Sequence, residues 1–153
     1  MANVVTQIVT DNGTKAVVKV VVQYGAANTS NTVFLQANTL FGANASKAWC
    51  PTIITNIAYF IRSAGIVNLE WVGSTNGSIA VFTGNNSGQL SGLMAINNAV
   101  APTGDLNLNQ AGMVNGDAYN LIITLEKDSS RYGNTAGAWA NTNKGFLTDG
   151  TGA

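Results

Sequence analysis

The stretch from Ile53 to Val72, IITNIAYFIRSAGIVNLEWV, decides the fold. Ile53, Thr55, Ile57, Tyr59 and Ile61 occupy its odd positions, while Asn56, Ala58 and Arg62 fall on even ones. A period of two with one apolar and one mixed face marks a half-buried strand. Ala64-Gly65 then reads as a turn. Beyond it, Val67, Leu69 and Trp71 share one face, and Asn68 and Glu70 share the other. The expectation is a hairpin of strands 53–63 and 66–72.

Outward from this centre the chain keeps the same character. Val4 to Val9 is short and β-branched, Asp11-Asn12-Gly13-Thr14 carries turn residues, and Ala16 to Tyr24 is a valine-rich strand. Gly25 to Ser30 reads as a loop, 31–36 as a short strand, and Ala37 to Cys50 as loop with room for one helical turn. Downstream, Gly73 to Gly77 and Gly84-Asn85-Asn86-Ser87-Gly88 read as turns around a strand at 78–83. Leu90 to Ile96 is apolar but broken by Gly92, so its type stays open. Asn97 to Gln110 is loop-like around a short strand at 106–108, and Asn115-Gly116-Asp117 turns into a final strand at 118–126. Tyr119, Leu121, Ile123 and Leu125 alternate there with Asn120 and Thr124. About eight short strands imply an all-β, antiparallel β-sandwich or barrel over residues 1–127, followed by an extended C-terminal tail over 128–153. The tail is small, polar and Gly/Asn-rich, yet carries Tyr132, Trp139, Phe146 and Leu147. Such side chains either anchor the tail on another surface or fold it back on its own domain.

The composition narrows the chemistry. Charged residues make up 9% of the chain, against about 25% in an ordinary soluble domain. Lys+Arg and Asp+Glu number 7 each, so little repulsion keeps copies apart. The basic residues are scattered, so neither a nucleic-acid groove nor an anionic membrane is an expected partner. The N-terminus shows no signal-peptide pattern, which places synthesis in the cytosol, and the Asn-X-Ser/Thr sites read as chance matches. Cys50 is the sole cysteine and reads as a small buried residue.

The chain contains no histidine, which removes the commonest general base and the commonest metal ligand. A glycosidase-like pair would have to come from Glu70 and Glu126, or from an Asp at a turn, and Glu70 reads as part of a solvated strand face. Gly84 to Gly88 lacks the lysine and helix of a phosphate loop, and Asp11-Asn12-Gly13 lacks the further ligands of a calcium loop. The chain is therefore expected to be no enzyme, with no catalytic residue, cofactor or metal.

Three segments carry a resemblance. They are the opening MANVVTQ with KAVVKVV at 15–21, then ITNIAYFI at 54–61 with GIVNLEW at 65–71, and YNLIITLEK at 119–127. In order and spacing, over about residues 1–127, they resemble a family of tailed-bacteriophage virion structural proteins. The tail at 128–153 departs from that family's pattern. The resemblance implies a virion component, in the first place a decoration (cement) protein on the outer surface of the capsid, made in the bacterial host cytoplasm. Its implied partners are the major capsid protein and itself, as a homotrimer. Val4 and Val5 in the N-terminal segment, and Tyr132, Trp139, Phe146 and Leu147 in the tail, are the expected assembly contacts. The alternatives are a tail, neck or fibre subunit of the virion, or a carbohydrate-binding β-sandwich in which Trp49, Trp71 or Trp139 stacks on sugar rings.

Overall fold

The computed structural model describes residues 2–11, 15–26, 28–36, 39–40, 51–96, 99–100 and 103–127. Cys50, Trp49, the segment at 41–50 and the whole tail, with Tyr132, Trp139, Phe146 and Leu147, lie outside the described residues. The fold is all-β and antiparallel. Seven strands are described: β1 (Ala2–Asp11), β2 (Lys15–Tyr24), β3 (Asn28–Leu35), β4 (Pro51–Trp71), β5 (Gly77–Ile96), β6 (Leu106–Met113) and β7 (Ala118–Lys127). They form one sheet of order β1-β2-β7-β4-β6-β3, with β5 on the free side of β4. The sheet curls until β1 approaches β3, so that it nearly closes into a barrel.

The expected hairpin at Ala64-Gly65 does not form. β4 runs unbroken through it for 21 residues. The physical reason is parity. A two-residue loop would set Ser63 opposite Ile66 and Ile61 opposite Asn68, placing Asn68 and Glu70 on the face of Ile57 and Ile61. A continuous strand instead keeps Ile57, Ile61, Val67, Leu69 and Trp71 on one buried face. Other boundaries move for a related reason. β3 starts inside the expected loop at Gly25 to Ser30, β6 extends beyond 106–108, and the supposed turn at Gly84 to Gly88 lies within β5. Pairing with a neighbouring strand satisfies backbone groups whatever the side chains prefer.

Ala64-Gly65 is a corner rather than a turn. β4 pairs β7 over Pro51 to Arg62, then pairs β6 over Ile66 to Trp71, while β5 follows its other edge through both halves. β6 and β7 thus lie end to end beside β4, and β3 and β2 lie end to end beside them. The register slips between Ser63 and Ile66, and such bulges let strands bend from one layer into another. The side chain of Asp117 clamps the corner. Val114 N donates to its Oδ2 at 2.9 Å, and Ala64 N lies 3.2 Å from both carboxylate oxygens. Tyr24 N donates to Asp117 O at 2.8 Å, and Gly116 N to Tyr24 O at 2.9 Å, which ties in the end of β2. Gly65 is required by close approach: a Cβ there would lie 2.5 Å from Ala111 O and from Met113 Sδ.

One core fills both halves. β2 supplies Val18, Val20 and Val22, β7 supplies Leu121, Ile123 and Leu125, β4 supplies Ile54, Ile57 and Ile61 before the corner and Val67, Leu69 and Trp71 after it, and β6 supplies Leu106 and Leu108. Burying a side chain of that size stabilises by about 1.5–3 kcal/mol. The core also holds a polar chain. Tyr119 donates to Gln110 Oε1, Gln110 Nε2 donates to Ser30 Oγ at 2.8 Å, and Ser30 Oγ lies 3.1 Å from Tyr24 Oη. It joins β7, β6, β3 and β2 where their ends meet. Burial pushes both tyrosine hydroxyls above their ordinary pKa. For Tyr24 the hydrogen bond shared with Ser30 offsets part of that rise, and the charge of Asp117 adds to it.

Candidate assembly surface

β5 is the longest of the three strands, with β1 and β3, whose outer edge has no partner among the described strands. It pairs β4 from Trp71↔Gly77 to Ile53↔Ile96 and pairs no other described strand. Its sequence would not hold a strand unaided, since glycine, asparagine and serine crowd its middle. β4 templates it. Gly84, with φ 79°, stands at the corner opposite Ser63, and Gly92, with φ 66°, takes up a second irregularity opposite Thr55. Gly88 leaves room for the phenol of Tyr59, whose Oη would sit 2.9 Å from a Cβ at that position.

The edge is apolar at its flanks and neutral along its length. On the outer face, Phe60 and Ile66 of β4 and Val81 of β5 are exposed, Val81 at 59%. On the other face, the rings of Tyr59 and Phe82 pack 5.1 Å apart, with Leu90 partly buried beside them. Phe60, Arg62, Asn85, Asn86 and Ser87 surround an open depression of about 520 Å³. No charged residue occurs from Val72 to Gly104. Natural sheets blunt long edges with lysine, proline or inward charges, and β5 itself carries none of these. It presents a row of backbone donors and acceptors that another strand can pair.

The expected contact residues fall elsewhere. Val4 and Val5 lie in β1, where Val4 leans on the core and Val5 is 54% exposed. Among the described strands β1 pairs only β2; it ends at Asp11 and also exposes Ile8 and Val9. The four tail residues lie outside the described residues.

Glu70 is not on a solvated face. It is 9% exposed because amides enclose it. Asn107 Nδ2 donates to its Oε1 at 2.9 Å, Asn76 Nδ2 to the same oxygen at 3.2 Å, and Asn68 Nδ2 to Oε2 at 3.2 Å. Asn107 also donates to Asn31 Oδ1, and Ser78 Oγ donates to Asn68 Oδ1 at 2.6 Å. This network braces β3, β6, β4 and the start of β5. Glu126 pairs against Ile53 at the far end of β4, beyond the corner, so the fold does not bring the two glutamates together as a catalytic pair. Among the described residues, no three potential metal-binding side chains gather. Trp71 is fully buried, so it cannot stack on a sugar, and Trp49 and Trp139 lie outside the described residues.

No protein-family model matches the chain, and no curated protein matches it.

Proposed function

We propose that the chain is a non-enzymatic structural protein of a tailed-phage virion, a decoration protein that binds the major capsid protein on the outside of the head and stabilises it. The assembling role is carried by one observation, the long neutral edge of β5 flanked by exposed Phe60, Ile66 and Val81. The virion assignment rests on the sequence resemblance over residues 1–127. The partners of this reading are the major capsid protein and further copies of the same chain. Each contact is modest: added strand pairing and a few apolar side chains. Symmetry repeats it over the particle, and simultaneous engagement multiplies its effect.

The test is the thermal stability of heads assembled with and without the protein, together with its location in separated heads and tails. Heads lacking it are expected to release their DNA at a lower temperature, and re-adding the protein is expected to restore the wild-type value. Equal release temperatures would overturn the cementing role. Recovery of the protein only with tails would assign it to the tail, neck or fibre instead.

A further inference from the structure

We propose that β5 pairs edge to edge with β5 of a second copy about a two-fold axis, so that two sheets join into one. The inference rests on the assembling role proposed above, which uses the same edge, and names the occupant of that edge; it does not depend on the virion assignment.

The occupant follows from what the edge lacks. Every molecule carries the same edge, so its own copies are always present as partners. A chain that must avoid them places a charge or a proline on the edge strand. β5 does neither over 20 residues. Like charges set opposite one another destabilise a strand pair, and no charged side chain on β5 can meet itself across the axis. The nearest fixed charge is Arg62, which faces Asn85 from one strand further in. In the joined sheet the two copies of Arg62 would stand about three strand spacings apart, roughly 14 Å, beyond the range of strong interaction at physiological salt.

Geometry favours the same arrangement. All the paired strands here are antiparallel. A two-fold axis normal to the sheet beside β5 continues that pattern through the order β4-β5-β5-β4, whereas an axis along the strands would impose the weaker parallel pairing. An isologous contact also closes on itself and does not propagate into a fibre. The pairing would centre on the stretch from Asn85 to Ser91, between the two positive-φ glycines, where nearly every side chain is exposed. Val81 on one face and Leu90 on the other would then gain cross-strand neighbours from the second copy.

The experiment is light scattering on the full chain and on two charge variants, S87K/S91K and S87E/S91E. Both serines are exposed, and both face outward from β5. The wild type is expected to be an even-numbered assembly, a dimer in the simplest case. Each variant alone should dissociate, with affinity weakened by about tenfold or more. An equimolar mixture should form a mixed dimer, because opposite charges then face each other. A wild-type monomer, a trimer, an assembly unmoved by the lysines, or a mixture that stays monomeric would each overturn the proposal. Hydrogen exchange of the wild type gives an independent reading. The alternate amides of residues 85–91 that point away from β4 should become more protected as concentration rises, and protection independent of concentration would also overturn it.

Discussion

β7 and β5 flank the same strand and are built from opposite materials. β7 alternates Tyr119, Leu121, Ile123 and Leu125 inward with Asn120, Ile122 and Thr124 outward, and it is paired on both edges, by β2 and β4. β5 has glycine, asparagine and serine through its centre and is paired on one edge only. The difference separates two ways of being a strand. β7 is held by what its side chains bury. β5 is held by backbone pairing to β4, and its outer edge is left to interact. A strand of the second kind contributes less to the fold and more to what the fold can join.

The sharpest way to break this comparison is to delete the same side chain from each strand. Leu121 is fully buried, so Leu121→Ala should cost about 2–5 kcal/mol. Leu90 on β5 is half-buried, so Leu90→Ala should cost about 1 kcal/mol. Urea denaturation of the two variants measures both. Equal losses would mean that β5 belongs to the core after all.

The two strands also differed in what the sequence could tell. β7 was legible because alternation of apolar and polar residues reports burial directly, and burial is what holds it. The type of β4 was legible for the same reason, but its length was not. Ala64-Gly65 looks like a turn locally, and the contrary signal lies further off. Ile61 and Val67 have the same parity, which a two-residue hairpin would have split between faces. β5 gave almost no pattern to read, because its partner rather than its side chains makes it a strand. The candidate surface on β5 was illegible with it; the sequence points instead to Val4 and Val5 on β1 and to the tail, which lies outside the described residues. A signal was nonetheless present: Val72 to Gly104 is the longest stretch of the chain without a charge. The burial of Glu70 was illegible because its amide partners come from β3, β6 and the loop before β5, and only the fold brings them together.

The corner through which β4 serves both neighbours offers a second, smaller test. Gly65 and Gly84 stand on either side of it and are needed for different reasons. At Gly65 a methyl would meet Ala111 O and Met113 Sδ, so Gly65→Ala should cost about 1–3 kcal/mol by overpacking. At Gly84 nothing lies within 4 Å of a Cβ, and only the φ of 79° resists substitution, so Gly84→Ala should cost about 1 kcal/mol. Melting temperatures of the two variants decide between them. A Gly84 variant less stable than the Gly65 variant would mean that the corner is governed by the backbone of β5 rather than by the contact between β4 and β6.

The smallest expected effect at neutral pH lies on the closed side of the barrel, where Tyr119 meets Gln110. Tyr119→Phe removes one buried hydrogen bond and should cost about 1 kcal/mol at pH 7. Its alkaline behaviour is more telling. Burial holds the hydroxyls of Tyr119 and Tyr24 above the ordinary tyrosine value of 10.0. The unfolded chain therefore loses these protons first as pH rises past about 10, and deprotonation draws the equilibrium towards it. The contribution of each tyrosine is complete below pH 10 and falls above it, by about 1.4 kcal/mol per pH unit until the folded-state pKa is reached. Urea titrations between pH 8 and roughly 11.5 should thus show wild-type stability flat at first and declining beyond 10. The Phe variant should start lower and decline less steeply, so the two curves converge. Parallel curves would show that Tyr119 titrates alike in the folded and unfolded chain, which its burial on β7 forbids. A side chain on the exposed middle of β5, where burial is slight, would give no such convergence.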